Sequence, residues 1–168
     1  MEPRIDLAKT APAAGAAMMG LERYVHQSGL ERGLLELVRL RASIINGCAY
    51  CVDMHTKIAR SLGETEQRLF AVSVWTETPF YSERERAALA WTEAVTLVSV
   101  DQVPDDVYDL ARQQFTEKEL VDLTFAIVAI NGWNRLSIAF RTVPGSFQLR
   151  NRHAVGDEAR AADVEPAR

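Results

Sequence analysis

Cysteine is nearly absent: Cys48 and Cys51 are the only two among 168 residues. That excludes a disulfide framework and a zinc site built from four thiolates. Positive charge is not in surplus either. With 19 Lys and Arg against 23 Asp and Glu, the net charge is −4 and the pI near 5.4. The basic face that grips phosphate backbones or anionic lipid is missing, so neither nucleic acid nor a membrane is expected as a partner. The most apolar stretch, Leu120 to Phe140, is interrupted by Asp122, Asn131, Asn134 and Arg135. These residues would be costly in lipid, so the segment is expected as a core helix, or one at a subunit interface. Met1-Glu-Pro-Arg-Ile-Asp6 lacks the basic start and apolar centre of an export signal, and a cytoplasmic location is expected. No Gly/Ser linker or long-period repeat divides the chain. One domain over 1–150 is expected, followed from about Asn151 by a mobile tail poor in large apolar groups.

Strand signals are scarce too, because no clean apolar/polar alternation stands between hairpin turns. Helix punctuation recurs instead. It predicts an all-α bundle of about six to seven helices. After a lead-in over Asp6 to Thr10, helices are expected over Ala13–Gln27, over Glu31–Ile45 with its stop at Asn46-Gly47, and from Cys48 to Gly63. A fourth opens at Glu64 or Thr65 and runs toward Trp75. Ser82 with Glu85 and Thr116 with Glu119 have capping-box spacing, so helices start after each. Pro104 suits the first position of a short helix ending near Gln114.

The chemistry concentrates at Cys48-Ala-Tyr-Cys51, with His55 one turn on. Cysteines three apart at a helix start are close enough to bond, and the helix N-terminus favours thiolate over thiol. At 100° per residue Cys48, Cys51, His55, Ile58, Ala59 and Leu62 share one side, with Asp53, Lys57 and Arg60 opposite. The thiols and imidazole therefore face inward. Two competing readings stand beside redox chemistry. Free cysteine and a satisfied histidine are ordinary core residues. Alternatively, two thiolates and an imidazole, with Glu36 as fourth ligand, could hold zinc, but structural zinc sites usually draw on two ligand pairs and only one exists here. No metal and no cofactor is expected.

On the preceding helix the apolar stripe holds Leu34, Val38, Ala42 and Ile45, with Leu37 and Ile44 beside it. Glu36 falls near its border with Arg39 and Ser43, and periodicity alone reads Glu36 and Arg39 as a solvated pair. Arg41 falls inside the stripe, as an interface ion pair would.

Glu36, eleven residues, then Cys48-x-x-Cys51-x-x-x-His55 resembles the signature of the alkylhydroperoxidase D-like (AhpD-like) proteins of the carboxymuconolactone decarboxylase family. The runs Ile45 to His55 and Ile130-Asn-Gly-Trp-Asn-Arg135 are similar to its peroxidase-related members, and the likeness spans about Arg4 to Arg141. The resemblance implies an all-helical, oligomeric protein, a trimer or hexamer, that reduces hydroperoxides through a cysteine pair. By position, Cys51 matches the attacking thiol, Cys48 the resolving thiol, and His55 and Glu36 the proton relay. One departure stands out. Where the antioxidant prototype has a histidine before the second cysteine, this chain has Tyr50, and a phenol with a pKa near 10 cannot serve as a base at neutral pH.

The two sulfurs have different claims to reactivity. The helix field favours Cys48, whereas Cys51 has the imidazole one turn away on its own face; activation by histidine makes Cys51 the attacking atom. His55 then takes its proton, a sulfenic acid forms, and Cys48 closes the disulfide. An external dithiol, lipoyl-type or thioredoxin-like by resemblance, is the expected reducing partner. Tyr50, Asn131, Trp133, Asn134 and Arg135 are candidates to line the substrate pocket, with Trp75 and Phe80 as further aromatic candidates. The alternatives are an oligomeric thiol-redox protein without turnover and a lactone decarboxylase-type lyase. The cysteine pair counts against the second.

Overall fold

Helix starts follow the side chains able to cap them. In the computed structural model, which describes residues 2–149, Asp6 accepts the Lys9 N–H to open α1 (Leu7–Thr10), and Pro12 is the first residue of α2 (Pro12–His26). α3 (Arg32–Asn46) ends at Gly47, whose φ of 70° lets its N–H and that of Cys48 return to the last carbonyls of α3. α4 (Ala49–Ser61) follows at once with Cys48 as N-cap. Thr65 caps α5 (Glu66–Ala71). Both expected capping boxes form, opening α6 (Glu83–Thr96) and the long α9 (Glu117–Phe140). Between them lie the single turn α7 (Val98–Asp101) and α8 (Asp105–Gln114), with Pro104 one position earlier than expected, at the N-cap.

The described residues contain helices and no strand, as the punctuation implies. The described residues form nine α-helices rather than six or seven because α1 and α7 are four-residue turns. The fourth expected helix does not reach Trp75 as one piece. It becomes a 3₁₀ segment (Val72–Glu77) in which Val74 leaves helical geometry at φ −128°, ψ 34°. The tail expected beyond Asn151 lies outside the described residues.

α3 runs through the middle. It packs on α4, α6, α9 and the 3₁₀ segment, so Leu34, Leu35, Leu37, Val38 and Leu40 are all buried. Each buried leucine contributes roughly 1.5–3 kcal/mol, which offsets the cost of carrying charges inside with them. One apolar cluster joins Leu34, Leu35 and Val38 to Leu123 and Ile127 of α9. Another joins Leu37 and Leu40 to Leu69, Trp75 and Leu89. At Gly132 of α9 the end of the Met18 side chain from α2 fills the space a Cβ would take, with Cε 2.8 Å from that position.

α9 is long and apolar enough to cross a membrane by length and composition, yet its inner face is packed on α2, α3 and α6. Its buried Asp122 accepts the Tyr24 hydroxyl at 2.7 Å and the Lys118 ammonium at 2.6 Å. The outer face is not covered within the chain: Val121, Phe125 and Val128 are 50%, 43% and 50% exposed. They border an almost wholly apolar groove of about 400 Å³ shared with Trp91 and Tyr108.

Candidate functional site

The sharp turn at Gly47 delivers Cys48 to the start of α4, and the next helical turn delivers Cys51. Both are 1% exposed, and a disulfide joins them across a Cα–Cα distance of 5.4 Å. They pack with Ala42 of α3 and Ile130 of α9, flanked by the partly buried Tyr50 and Trp133. His55, one turn further, is buried as its position relative to the cysteines implies, and so is Ala59. Leu62 departs from that inward face and is 38% exposed, because α4 has already ended at Ser61.

The pair Glu36 and Arg39 is not solvated, contrary to its position at the edge of the stripe. Both side chains are buried, because every position of α3 from Leu34 to Leu40 is enclosed by the packed neighbours α4, α6 and α9. Arg39 Nη1 donates to Glu36 Oε1 at 2.7 Å, and His55 Nδ1 lies 2.7 Å from Glu36 Oε2. Burial by itself would raise the Glu36 carboxyl, but the charges and hydrogen bonds of His55 and Arg39 reverse this and hold it down at about 2. An ionised carboxylate only accepts. Nδ1 therefore carries the proton and donates to Glu36, and in the neutral ring Nε2 keeps its lone pair. Nε2 is buried with no hydrogen-bond partner. An imidazole held by a carboxylate on one nitrogen and open on the other can take a proton from a thiol.

A residue that sequence reasoning missed completes this cluster. Glu22 of α2 is buried, takes Arg39 Nη2 on Oε2 at 2.7 Å, and accepts the Trp133 indole N–H on Oε1 at 3.1 Å. The signal available was slight: Leu34-Leu-Glu-Leu-Val-Arg-Leu40 sets two opposite charges among five apolar residues, and charges that become buried there need partners elsewhere.

The remaining candidates separate. Tyr50 and Trp133 stand beside the disulfide. Burial, and then the Asp53 charge, push the Tyr50 phenol above its ordinary value, so it stays protonated at neutral pH. Asn131 and Asn134 instead bind Asn46, whose amide donates to both side-chain oxygens at 2.9 Å. Asn134 donates to Ser43 at 3.0 Å and Asn131 to Thr96 at 3.1 Å, while Arg135 lies toward solvent on the Asn131 oxygens. This group secures the turn that presents Cys48. Trp75 and Phe80 pack with Leu37, Leu40 and Leu89 rather than with the thiols. Arg41 needs no second subunit for its ion pair: Nε donates to Glu93 at 2.8 Å within the chain. Among the described residues no three His, Cys, Asp or Glu side chains gather as a metal site.

The profile of the carboxymuconolactone decarboxylase family matches residues 12–94, the span from α2 through most of α6. The chain is 45% identical to the Bacillus subtilis (strain 168) protein YdfG, itself uncharacterised, over 83% of this chain and 95% of that one. Among solved structures, ATU0492 from Agrobacterium tumefaciens, a protein of unknown function likened to the antioxidant defence protein AhpD, superposes with a TM-score of 0.83. It is 49% identical over 85% of this chain and 98% of that one. An uncharacterised peroxidase-related protein with an AhpD core from Ralstonia eutropha JMP134 shares the fold, with a TM-score of 0.73 and 23% identity over 83% of this chain and 74% of that one. In family profile, fold and paired cysteines, this chain belongs to the carboxymuconolactone decarboxylase family as an AhpD-like protein.

Proposed function

We propose that the protein reduces hydroperoxides through the Cys48–Cys51 pair. The observation that carries the reading is a buried cysteine pair at a helix start, followed one turn later by a buried imidazole tied to a carboxylate at Nδ1 and unpartnered at Nε2. In the reduced protein His55 takes the Cys51 proton. The thiolate attacks the terminal peroxide oxygen, the O–O bond breaks, and the alkoxide leaves as alcohol with a proton returned through the imidazole. Cys51 is then a sulfenic acid. Attack by Cys48 expels its oxygen as water and forms the disulfide. A dithiol of lipoyl or thioredoxin type supplies the two electrons that restore both thiols. Glu36 orients His55, and Tyr50 and Trp133 form the wall against which the substrate lies; Asn131, Asn134 and Arg135 support it from behind through Asn46.

The exposed Val121, Phe125 and Val128 support assembly through the outer face of α9, as a trimer or hexamer. Sedimentation at micromolar concentration reads this directly. The test of activity is a coupled assay with cumene hydroperoxide, hydrogen peroxide and a lipid hydroperoxide, each with dihydrolipoamide or thioredoxin as reductant. Sustained consumption with one dithiol is expected. A disulfide that forms once without turnover returns the thiol-sensor reading, and carbon dioxide release from a carboxymuconolactone would return the lyase reading.

A further inference from the structure

The Arg39 fork is divided between two carboxylates, Nη1 on Glu36 and Nη2 on Glu22, each at 2.7 Å. A guanidinium fork fits both oxygens of a single carboxylate, so dividing it requires a second anion. Were Glu22 lost, the best arrangement left to a buried Arg39 is the two-pronged one on Glu36, which claims Oε2 as well as Oε1. Oε2 is the atom that accepts from His55. An amide at position 22 is a poor replacement. One oxygen of Glu22 faces the Trp133 N–H and the other faces Arg39, so glutamine would turn its NH₂ against one of two donors. Trp133 in turn packs beside the cysteines, which links Glu22 to both sides of the site.

We propose that Glu22 is a positioning residue of the thiol site: by holding one branch of Arg39 it reserves Glu36 Oε2 for His55 and fixes the imidazole with Nε2 open. Its effect on rate rests on the peroxide-reducing reading, but its effect on the His55–Glu36 bond does not.

The experiment follows the His55 Nδ1 proton by NMR in oxidised protein labelled with ¹⁵N-histidine, the signal being assigned by its loss in His55→Gln. A downfield, exchange-protected resonance is expected in the wild type and in Glu22→Asp. It is lost or moved upfield in Glu22→Gln. In Glu22→Leu/Arg39→Met it returns, because no guanidinium remains to compete for Oε2, whereas a purely structural Glu22 would leave the double variant at least as damaged as the single. Should Glu22→Gln fail to fold, the double variant, free of both buried charges, carries the test alone. With reduced protein, kcat for hydroperoxide falls roughly 10–100-fold in Glu22→Gln, the usual scale for loss of an outer hydrogen-bond partner, with KM little changed, and recovers in the double variant. An unchanged resonance in Glu22→Gln, or none in the folded double variant, overturns the proposal. If the resonances follow the pattern while no form consumes peroxide, the positioning role stands and the peroxide reading falls.

Discussion

Two polar networks, one partly and one fully buried, lie on the helices that carry and cover the cysteine pair. The neutral one, Ser43, Asn46, Thr96, Asn131 and Asn134, closes on itself: its buried side-chain donors and acceptors find partners. The ionic one, Glu22, Arg39, Glu36 and His55, contains the two unpartnered buried side-chain atoms among the described residues, Arg39 Nε and His55 Nε2. A satisfied amide network fixes geometry and offers nothing to a substrate. An ionic cluster that binds its histidine at one nitrogen and leaves the other open holds a base in reserve at some cost in stability. On the proposed function, the contrast separates the residues that shape the site from those that act in it.

The largest effect should come from the sulfurs. Cys51→Ser abolishes hydroperoxide consumption, because a serine alkoxide is not available at neutral pH. Cys48→Ser retains the first turnover and then stops for want of a resolving thiol. A coupled assay with a burst measurement distinguishes the two. Next comes the open base: His55→Ala slows single-turnover oxidation of Cys51 on the order of 10²–10⁴-fold, read by stopped flow. A drop of that size without a change in melting temperature would place His55 on the chemical side of the contrast.

The neutral network should fail differently. Asn134→Ala leaves Asn46 and Ser43 each short of a buried partner and costs about 1–3 kcal/mol in chemical denaturation. Once the remaining folded fraction is counted, its turnover should fall far less than that of His55→Ala. A loss of rate equal to that of His55→Ala would erase the distinction between the networks.

Acid should also separate them, because amides do not titrate in this range. The Glu36 carboxyl is held at about 2 against an ordinary value of 4.5. A depressed folded-state value means that the unfolded chain binds the proton first. The Glu36 contribution is thus complete above the ordinary value and is lost as pH falls toward about 2. Glu36→Gln is expected to be less stable than the wild type at neutral pH, with a shallower loss of stability across this acid window. Denaturant titrations at several pH values give the two slopes, and parallel slopes would contradict the assignment. The smallest effect belongs to Arg135→Ala, which removes an exposed partner of Asn131 and should change stability by no more than about 0.5 kcal/mol.

Much of this was legible in the sequence, where the signal is local. Ser82 with Glu85 and Thr116 with Glu119 begin helices because a capping box is satisfied within four residues. Asn46-Gly47 ends α3 because glycine adopts positive φ without strain, and that one turn puts the cysteines at the start of the next helix. Non-local facts were illegible or misread. Glu36 and Arg39 look solvated on a helical wheel, and only the enclosure of α3 by its neighbours buries them. Glu22 sits in Leu21-Glu-Arg-Tyr24, an ordinary surface pattern, and its partners are 17 and 111 positions away. Arg41 finds Glu93 on another helix, where the wheel left a contact between helices or between subunits open. The break after Ala71 has no proline or glycine to announce it.

The central claim is that His55 makes Cys51 the attacking sulfur. It is tested most directly by trapping sulfenic acid with a dimedone-type probe in the two single-cysteine variants, exposed to one equivalent of cumene hydroperoxide and mapped by peptide mass spectrometry. The account expects the adduct on Cys51 in Cys48→Ser and none in Cys51→Ser. An adduct on Cys48 in Cys51→Ser, with hydroperoxide consumed at the rate of Cys48→Ser, would contradict it and make the helix N-terminus rather than the histidine the activator.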